Sequence, residues 1–338
     1  MMPRLLLAAA CAAAPFVGTA AAQPAHFKGE TITITIGYPP GGAPDAYMRV
    51  LARHYGRYIP GHPTIVAKNM QGAGGLRAAN HLYNAAARNG TELASFGPSA
   101  AMEPLLGNDQ AKFDSTRFSW IGSITQEISF CGVWQRPGAA GSFEDMFKTE
   151  TRFGGSGPSS IGHQHAILLK TVLGAKVSVV NGYRGVPDAY LAMQRGETGG
   201  TCPLARALIK SLALDDYKAG RLRLVIQMGP KTTAELGNVP SVFDYAKTED
   251  DRKVLEFHFN QRLLGRPLAG PPGVPRERLA ILRKAFQDTL RDKEFLAEAE
   301  RSNLDVDPAT GEQAEELLRR FADYPKSVID RAKVAIGR

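Results

Sequence analysis

The chain has 338 residues, enough for two domains of about 100 to 200 residues each, and at 43% hydrophobic and 22% charged it has the composition of an ordinary globular protein. Its formal charge of +8 favours anionic ligands or partners, whereas Lys and Arg scattered without a basic block or an aromatic-interleaved stripe argue against nucleic acid. Beyond the N-terminal segment, no stretch reaches the roughly 20 consecutive apolar residues of a membrane-spanning helix.

Residues 1–22 have the layout of a secretory signal peptide: a basic start through Arg4, an apolar core from Leu5 to Val17, then Ala20-Ala21-Ala22. Cleavage after Ala22 leaves 316 residues beginning at Gln23, with charge +7, and predicts a soluble periplasmic protein. Cys11 offers the alternative of a lipoprotein, but Ala8-Ala9-Ala10 before it is not the Leu-led box that lipidation prefers. The remaining cysteines, Cys131 and Cys202, are as readily bridged as free in an oxidising compartment.

Thr31 to Ile36 alternates polar and apolar β-branched residues, the period of a strand. It runs through Tyr38-Pro39-Pro40-Gly41-Gly42 into a segment with Met48, Leu51, Tyr55 and Tyr58 near helical spacing. The same unit recurs: strand Thr64 to Ala67, loop Gly72-Ala73-Gly74-Gly75, helix Leu76 to Arg88, then strand Glu92 to Phe96. A second set follows, with strand Ser129 to Gln135, strand Thr151 to Gly154, the loop Gly155 to Ser160, a helix through Ala166, Leu169 and Leu173, and strand Val177 to Asn181. Gly182-Tyr183-Arg184-Gly185 opens another helix with Pro187 in its first turn. Short strands are expected at Thr198 to Cys202 and Leu222 to Gln227, and helices from Arg276 onward and over Glu312 to Phe321. Alternating strands and helices predict two α/β domains, each a mostly parallel sheet with flanking helices. The expected division is domain 1 over 23–128 plus 222–338 and domain 2 over 129–221, joined by crossing strands because no disordered linker separates the halves.

Four Gly-rich loops therefore sit at strand-to-helix junctions, where helix N-termini and convergent amides suit an anion such as a carboxylate. Each alone reads equally as a tight turn. Ser156, Ser159 and Ser160 add hydroxyls to the third loop, and either of the last two reads as the N-cap of the helix carrying His163 and His165. A Ser/His hydrolase is a weaker reading, because neither serine run has the flanking glycines of a nucleophile elbow. His163 and His165 point to different helix faces and no further ligand completes a metal set, so no metal is expected. Arg77 stands where a dinucleotide fingerprint needs glycine, so no nucleotide cofactor is expected either. Arg184 is a candidate bidentate grip for a carboxylate or a solvated surface residue. Asp45 either meets the helix dipole or accepts a hydrogen bond from the ligand.

These residues resemble the extracytoplasmic receptors of tripartite tricarboxylate transporters, the Bug or TctC-like family. Tyr38-Pro39-Pro40-Gly41-Gly42-Ala43-Pro44-Asp45 with Arg49 is similar to the family's first-loop motif, and Lys68 through Gly75 to its second. Gly155-Ser156-Gly157 through His163 resembles its serine loop and Gly182 to Gly185 its Tyr-x-Gly turn. Arg195-Gly196-Glu197 with Gly199-Gly200, and the Pro-rich turn Pro271 to Pro275, add to the likeness. The resemblance implies a two-lobed, type II periplasmic binding fold of the Venus-flytrap kind. It implies a monomeric, non-enzymatic receptor that closes over a small carboxylate and delivers it to the membrane components of a transporter. The alternative partner is a histidine-kinase ectodomain. The implied ligand-binding set is Tyr38, Pro40, Gly41, Gly42, Asp45, Gly72, Ala73, Gly74, Gly75, Pro98, Ser99, Ser156, Ser159, Ser160, His163, Tyr183, Arg184 and Gly185. Asn89 to Leu93 and Phe96-Gly97-Pro98-Ser99 depart from the family pattern. Phe96, Phe130 and Trp134 are candidates for an apolar ligand tail or for the core.

Overall fold

The computed structural model describes residues 27–157 and 160–337; the expected signal peptide and cleavage site, Cys11, Pro158 and Ser159 lie outside the described residues. In chain order the first lobe contributes β1 (Thr31–Ile36), α1 (Ala43–Tyr55), β2 (Thr64–Asn69), α2 (Leu76–Asn84), β3 (Glu92–Ser95), α3 (Pro98–Met102) and β4 (Ser119–Ser123). The chain then crosses into β5 (Ser129–Trp134), β6 (Thr151–Gly155), α4 (Ile161–Thr171), β7 (Val177–Asn181), α5 (Val186–Arg195) and β8 (Gly200–Ala205). After β8 come α6 (Arg206–Leu208), a π-helical turn (Ile209–Ala213), α7 (Leu214–Lys218) and β9 (Leu222–Met228). The return includes α8 (Glu249–Phe259), β10 (Pro267–Gly270), α9 (Arg276–Thr289), α10 (Lys293–Arg301), β11 (Ala309–Thr310), α11 (Gly311–Ala322) and α12 (Lys326–Ala335).

Two sheets result, one six-stranded in the order β11-β4-β10-β3-β1-β2, the other five-stranded in the order β7-β6-β8-β5-β9. Each is mixed rather than simply parallel. The trios β2-β1-β3 and β7-β6-β8 are parallel, and the antiparallel pairs fall where the chain passes between lobes. One boundary expected from sequence is corrected by this pairing. Leu222–Met228, placed in domain 1, pairs antiparallel with β5 from Trp134↔Leu222 to Ser129↔Met228 and belongs to the second sheet. Its run of apolar residues looks the same in either sheet, so only partner choice distinguishes them.

The strand predicted from Thr31 to Ile36 forms because Ile32, Ile34 and Ile36 are all wholly buried on one face. Those isoleucines pack under α1, α9 and α10 with Met48, Leu51, Tyr55 and Phe286. On the opposite faces a single apolar cluster runs continuously from Phe96 and Trp120 of lobe 1 through Phe257 and Phe259 of α8 to Phe153 and Leu169 of lobe 2. The lobes are therefore joined by packed side chains as well as by chain crossings. Glu127 on the outgoing crossing pairs with both Arg262 and Arg266 on the returning one, each at 2.6 Å. Those pairs tie the two crossings together. None of the described helices is long and apolar enough to cross a membrane.

Cys131 and Cys202 are joined as a disulfide between the neighbouring strands β5 and β8, with Cα atoms 4.5 Å apart. The alternative of two free thiols is thereby closed. Phe96 and Phe130 are wholly buried, Phe96 against Phe118 and Trp120, which makes both core residues and removes them as walls for a ligand tail. Trp134 is partly exposed, but it ends β5 at the pole of lobe 2 far from the other lobe.

Candidate functional site

In lobe 1 the strand ends of β1, β2 and β3 bring three loops together. Gly41 adopts φ of +84°, a left-handed conformation that favours glycine, and this turn aims its amide back at Asp45 Oδ2, 3.0 Å away. Asp45 also accepts from Arg49 Nε at 2.9 Å and, through Oδ1, from Asn69 Nδ2 at 2.8 Å. Asn69 is held in place because it ends the edge strand β2 on its inward face, where it donates to the Tyr38 carbonyl and accepts from Arg49. Burial alone would raise the Asp45 carboxyl. The hydrogen bonds from Arg49, the Gly41 amide and Asn69 more than reverse that and hold it at about 2.

Three protein donors therefore hold Asp45, which fixes the first loop from beneath. Above it, Pro40 and Gly41 are exposed, and Gly42 ends the loop in extended conformation with no side-chain cap on α1. In the first turn of α1 the Ala43 and Asp45 amides thus lack intrahelical partners, and Pro44 between them has no N–H. Tyr38 is half-buried, and a Cβ at Gly97 would lie 2.5 Å from its hydroxyl, so a larger residue there would displace the Tyr38 side chain. Gly72, Ala73 and Gly74 are exposed, Gly75 is buried in contact with Phe96, Pro98 is buried and Ser99 exposed.

Lobe 2 supplies a second set of loops. Ser160 caps α4 as expected, accepting from the His163 amide at 3.3 Å and donating to the Gly157 carbonyl at 2.7 Å. His163 Nδ1 lies 3.2 Å from Asn181 Oδ1 at the end of β7. The serine hydroxyl and the imidazole are committed to different partners, which is the arrangement of a helix cap rather than of a nucleophile and its base. Tyr183 lays its ring over Gly154, where a Cβ would come within 3.2 Å of it, and Gly185 begins α5 without a side-chain cap. Ser156 is exposed at the loop tip. Arg184 does not converge with these groups. Its side chain is 90% exposed and bonds Asp188 one turn along α5 at 2.7 Å, which favours the surface reading.

Two spaces lie between the lobes, and of the residues expected to bind a ligand Pro98 and Ser99 alone line either of them. A groove of about 830 Å³ is lined by Ala205, Leu208 and Lys210 of lobe 2 and by Leu304, Asp305 and Val306 of lobe 1. Arg206 reaches across to Asp305 at 3.6 Å, and Lys231 pairs with Asp307 at 2.7 Å. On the other flank a small cavity of about 30 Å³ lies between Pro98 and Ser99 of lobe 1, Gln164 and His165 of α4, and the segment carrying Gln261 and Arg262. His165 Nδ1, Gln261 Oε1 and Arg262 Nε are buried without protein partners.

Sequence reasoning missed Asn69, Glu127, Arg262 and Arg266. Each lies outside a recognisable motif, although Asn69 falls within the run that resembles the second-loop motif. Arg262 and Arg266 lie near Tyr38, where burial raises the phenol and the two cations oppose that shift. With one Glu127 between two arginines, the wall behind the first loop carries net positive charge. Of the described residues, His54, Asp292 and Glu294 form the one set spaced to hold a metal ion. The Arg57 guanidinium bonds all three, at 2.8 Å to Asp292 and 2.5 Å to Glu294, so it already occupies that position.

His165 makes one consequence measurable. Burial, with Arg262 and His258 adding to it, lowers this imidazole well below its usual value. The unfolded chain takes up a proton near pH 6.5 that the folded protein refuses, so the stability contribution is complete above that pH and is lost as pH falls below it. Melting temperature should therefore decline between about pH 6.5 and 5, and His165→Gln should flatten that decline. An equal decline in the variant assigns it to other groups.

No family model matches the chain, and no curated protein matches it significantly. Solved structures do. A TctC solute binding protein from Polaromonas superposes with TM-score 0.70 at 19% identity, covering 89% of this chain and 98% of that one. MatC from Rhodopseudomonas palustris with bound malate gives 0.56 at 16%, covering 92% and 100%. A second R. palustris protein, Rpa4515 with adipate, gives 0.58 at 17%, covering 90% and 97%. At these identities the likeness establishes the fold, and the two-lobed periplasmic binding architecture extends over nearly the whole described chain.

Proposed function

We propose that this chain is a periplasmic solute-binding receptor of the Bug or TctC-like family, which captures a small carboxylate by hinge closure and hands it to a tripartite tricarboxylate-type membrane transporter. The observation that supports this reading is that each lobe carries glycine loops at the ends of its parallel strands. Lobe 1 offers the uncapped start of α1 beyond Gly41-Gly42, locked from below by Asp45, Arg49 and Asn69. Lobe 2 offers Ser156, the Gly154–Tyr183 contact and the uncapped start of α5 at Gly185. Unpaired amides at helix starts favour an anion, and glycine allows it close to the backbone.

Closure brings the lobes together on the anion because the ligand stabilises the arrangement in which both sets of loops touch it. Malate in MatC and adipate in Rpa4515 support an organic acid as the cargo class. The chain carries that cargo without transforming it, since Ser160 and His163 serve the helix start and Asn181. The test is a thermal-shift screen of refolded, ligand-stripped protein against mono-, di- and tricarboxylates, aromatic acids and neutral analogues. A ligand at about 100 times its dissociation constant adds about 2.7 kcal/mol of stability. A rise in melting temperature confined to one class of acids is expected; a rise with neutral analogues alone would refute the carboxylate reading.

A further inference from the structure

The opposite pole of lobe 2 carries a second groove, linked to the loops described above through the Tyr183 hydroxyl, which donates to Glu197 at 3.4 Å. Strand β5 begins beside lobe 1 at Ser129 and ends in the groove at Trp134; strand β6 begins in it at Thr151-Arg152 and ends at the loops with Gly155. At about 3.3 Å per residue, the length of β5 separates the two places by about 16 Å. The groove has a volume of about 330 Å³, within the range of small-molecule sites.

Its charged residues are not equivalent. Arg136 is committed to the end of α5, where it donates to the carbonyls of Met193 at 2.7 Å and Gln194 at 3.4 Å. Glu197 is paired with Arg195 at 2.7 Å, and Glu150 accepts from Ser178 at 2.7 Å. Arg152 is exposed, and its guanidinium has no hydrogen-bond or ion-pair partner among the described residues. With Glu197 paired to Arg195, Arg136 and Arg152 outweigh the single carboxylate of Glu150, and the net charge of the groove is positive.

Two further observations define what it takes. Thr198 lines the groove and is only 3% exposed, yet its hydroxyl has no partner. A buried hydroxyl without an acceptor is costly, and an anionic oxygen supplies one. Beside it stands the indole of Trp134, partly exposed, with Pro137 and Ala139 completing an apolar wall. A flat apolar body against the indole, with a carboxylate at its edge, meets all of these groups at once.

We propose that this groove is a second ligand site, independent of closure, that takes a small aromatic carboxylate, with Arg152 and Thr198 holding the carboxylate and Trp134 the ring. Only two tryptophans are present, and Trp120 is wholly buried in the core of lobe 1, so a fluorescence change on binding reports Trp134. The experiment titrates benzoate into the full mature protein with tryptophan-selective excitation, alongside acetate and benzamide. Benzoate should quench in a saturable manner, with acetate and benzamide at least tenfold weaker. Arg152→Ala, an exposed position, should weaken benzoate at least tenfold while leaving the melting temperature of the free protein unchanged, and Thr198→Val should weaken it severalfold. Absence of saturable quenching overturns the proposal, as does a benzoate titration indifferent to Arg152→Ala. Neither outcome bears on carboxylate capture between the lobes, which the thermal-shift screen measures separately.

Discussion

Asp45→Ala should lower stability by about 2–4 kcal/mol and weaken carboxylate binding at least tenfold, because one buried carboxylate organises the whole first loop. The substitution strands three donors at once: the Gly41 amide, Arg49 Nε and Asn69 Nδ2. Arg49 is 40% exposed and can turn to water, so the cost falls below that of a fully buried pair. Gly41 is exposed and its amide can also turn to water, whereas Asn69 is partly buried and also holds the Tyr38 carbonyl. Asp45→Asn keeps the shape but brings an amide N–H towards existing donors, so it should be intermediate rather than neutral. The pH dependence follows from the carboxyl held at about 2. A folded value below the unfolded one means that its contribution is complete above the ordinary carboxyl range and is lost as pH falls from about 4 towards 2. Urea midpoints and ligand titrations of both variants measure these effects. Wild-type affinity in Asp45→Ala would show that the loop is ordered by something else.

Cys131→Ala combined with Cys202→Ala should cost about 4 kcal/mol, the loop-closure entropy of a long covalent loop. The bridge spans 71 residues of sequence and encloses β6, α4, β7 and α5, nearly the whole of lobe 2. Both half-cystines are buried, so cavities add to the entropic cost. The effect reaches the binding loops as well. The strands it joins end at the interlobe face as the pair Ser129↔Ala205, and Arg206 follows immediately with its contact to Asp305. A fall in melting temperature of about 10 °C is expected on reduction or double substitution. A fall of only a degree or two would mean that the reduced chain is already restricted in the unfolded state.

Much of the architecture was readable from sequence, and the reasons are specific. Thr31 to Ile36 announces a strand because the six residues alternate and the isoleucine face is wholly buried. Ser160 announces a helix start because its side chain has the geometry of a cap, which the structure retains. The unread elements lack such a pattern. Ser119–Ser123 and Pro267–Gly270 are short and buried on both faces, so neither shows any alternation. The crossing of β9 into the second sheet was missed because pairing is a tertiary choice.

The same distinction applies to the candidate site. Glycine positions were legible because turns at strand ends require them, whereas side-chain roles depended on long-range partners. Asp45 was expected as dipole or ligand partner, yet Asn69, 24 residues away, decides that it supports the loop. Arg184 looked like a carboxylate grip between Tyr183 and Gly185, and Asp188 on the same helix takes it instead. Glu127, Arg262 and Arg266 supply charge at the crossings from positions no motif marks, because they become neighbours only once the chain has crossed between lobes and back.

The central claim is capture by closure, and small-angle X-ray scattering of the mature protein with and without the acid identified by thermal shift tests it most directly. Closure predicts a smaller radius of gyration and a shorter maximum dimension at saturating ligand, with Asp45→Ala requiring more ligand to reach the same compaction. Saturable binding that leaves the scattering curve unchanged would contradict the account.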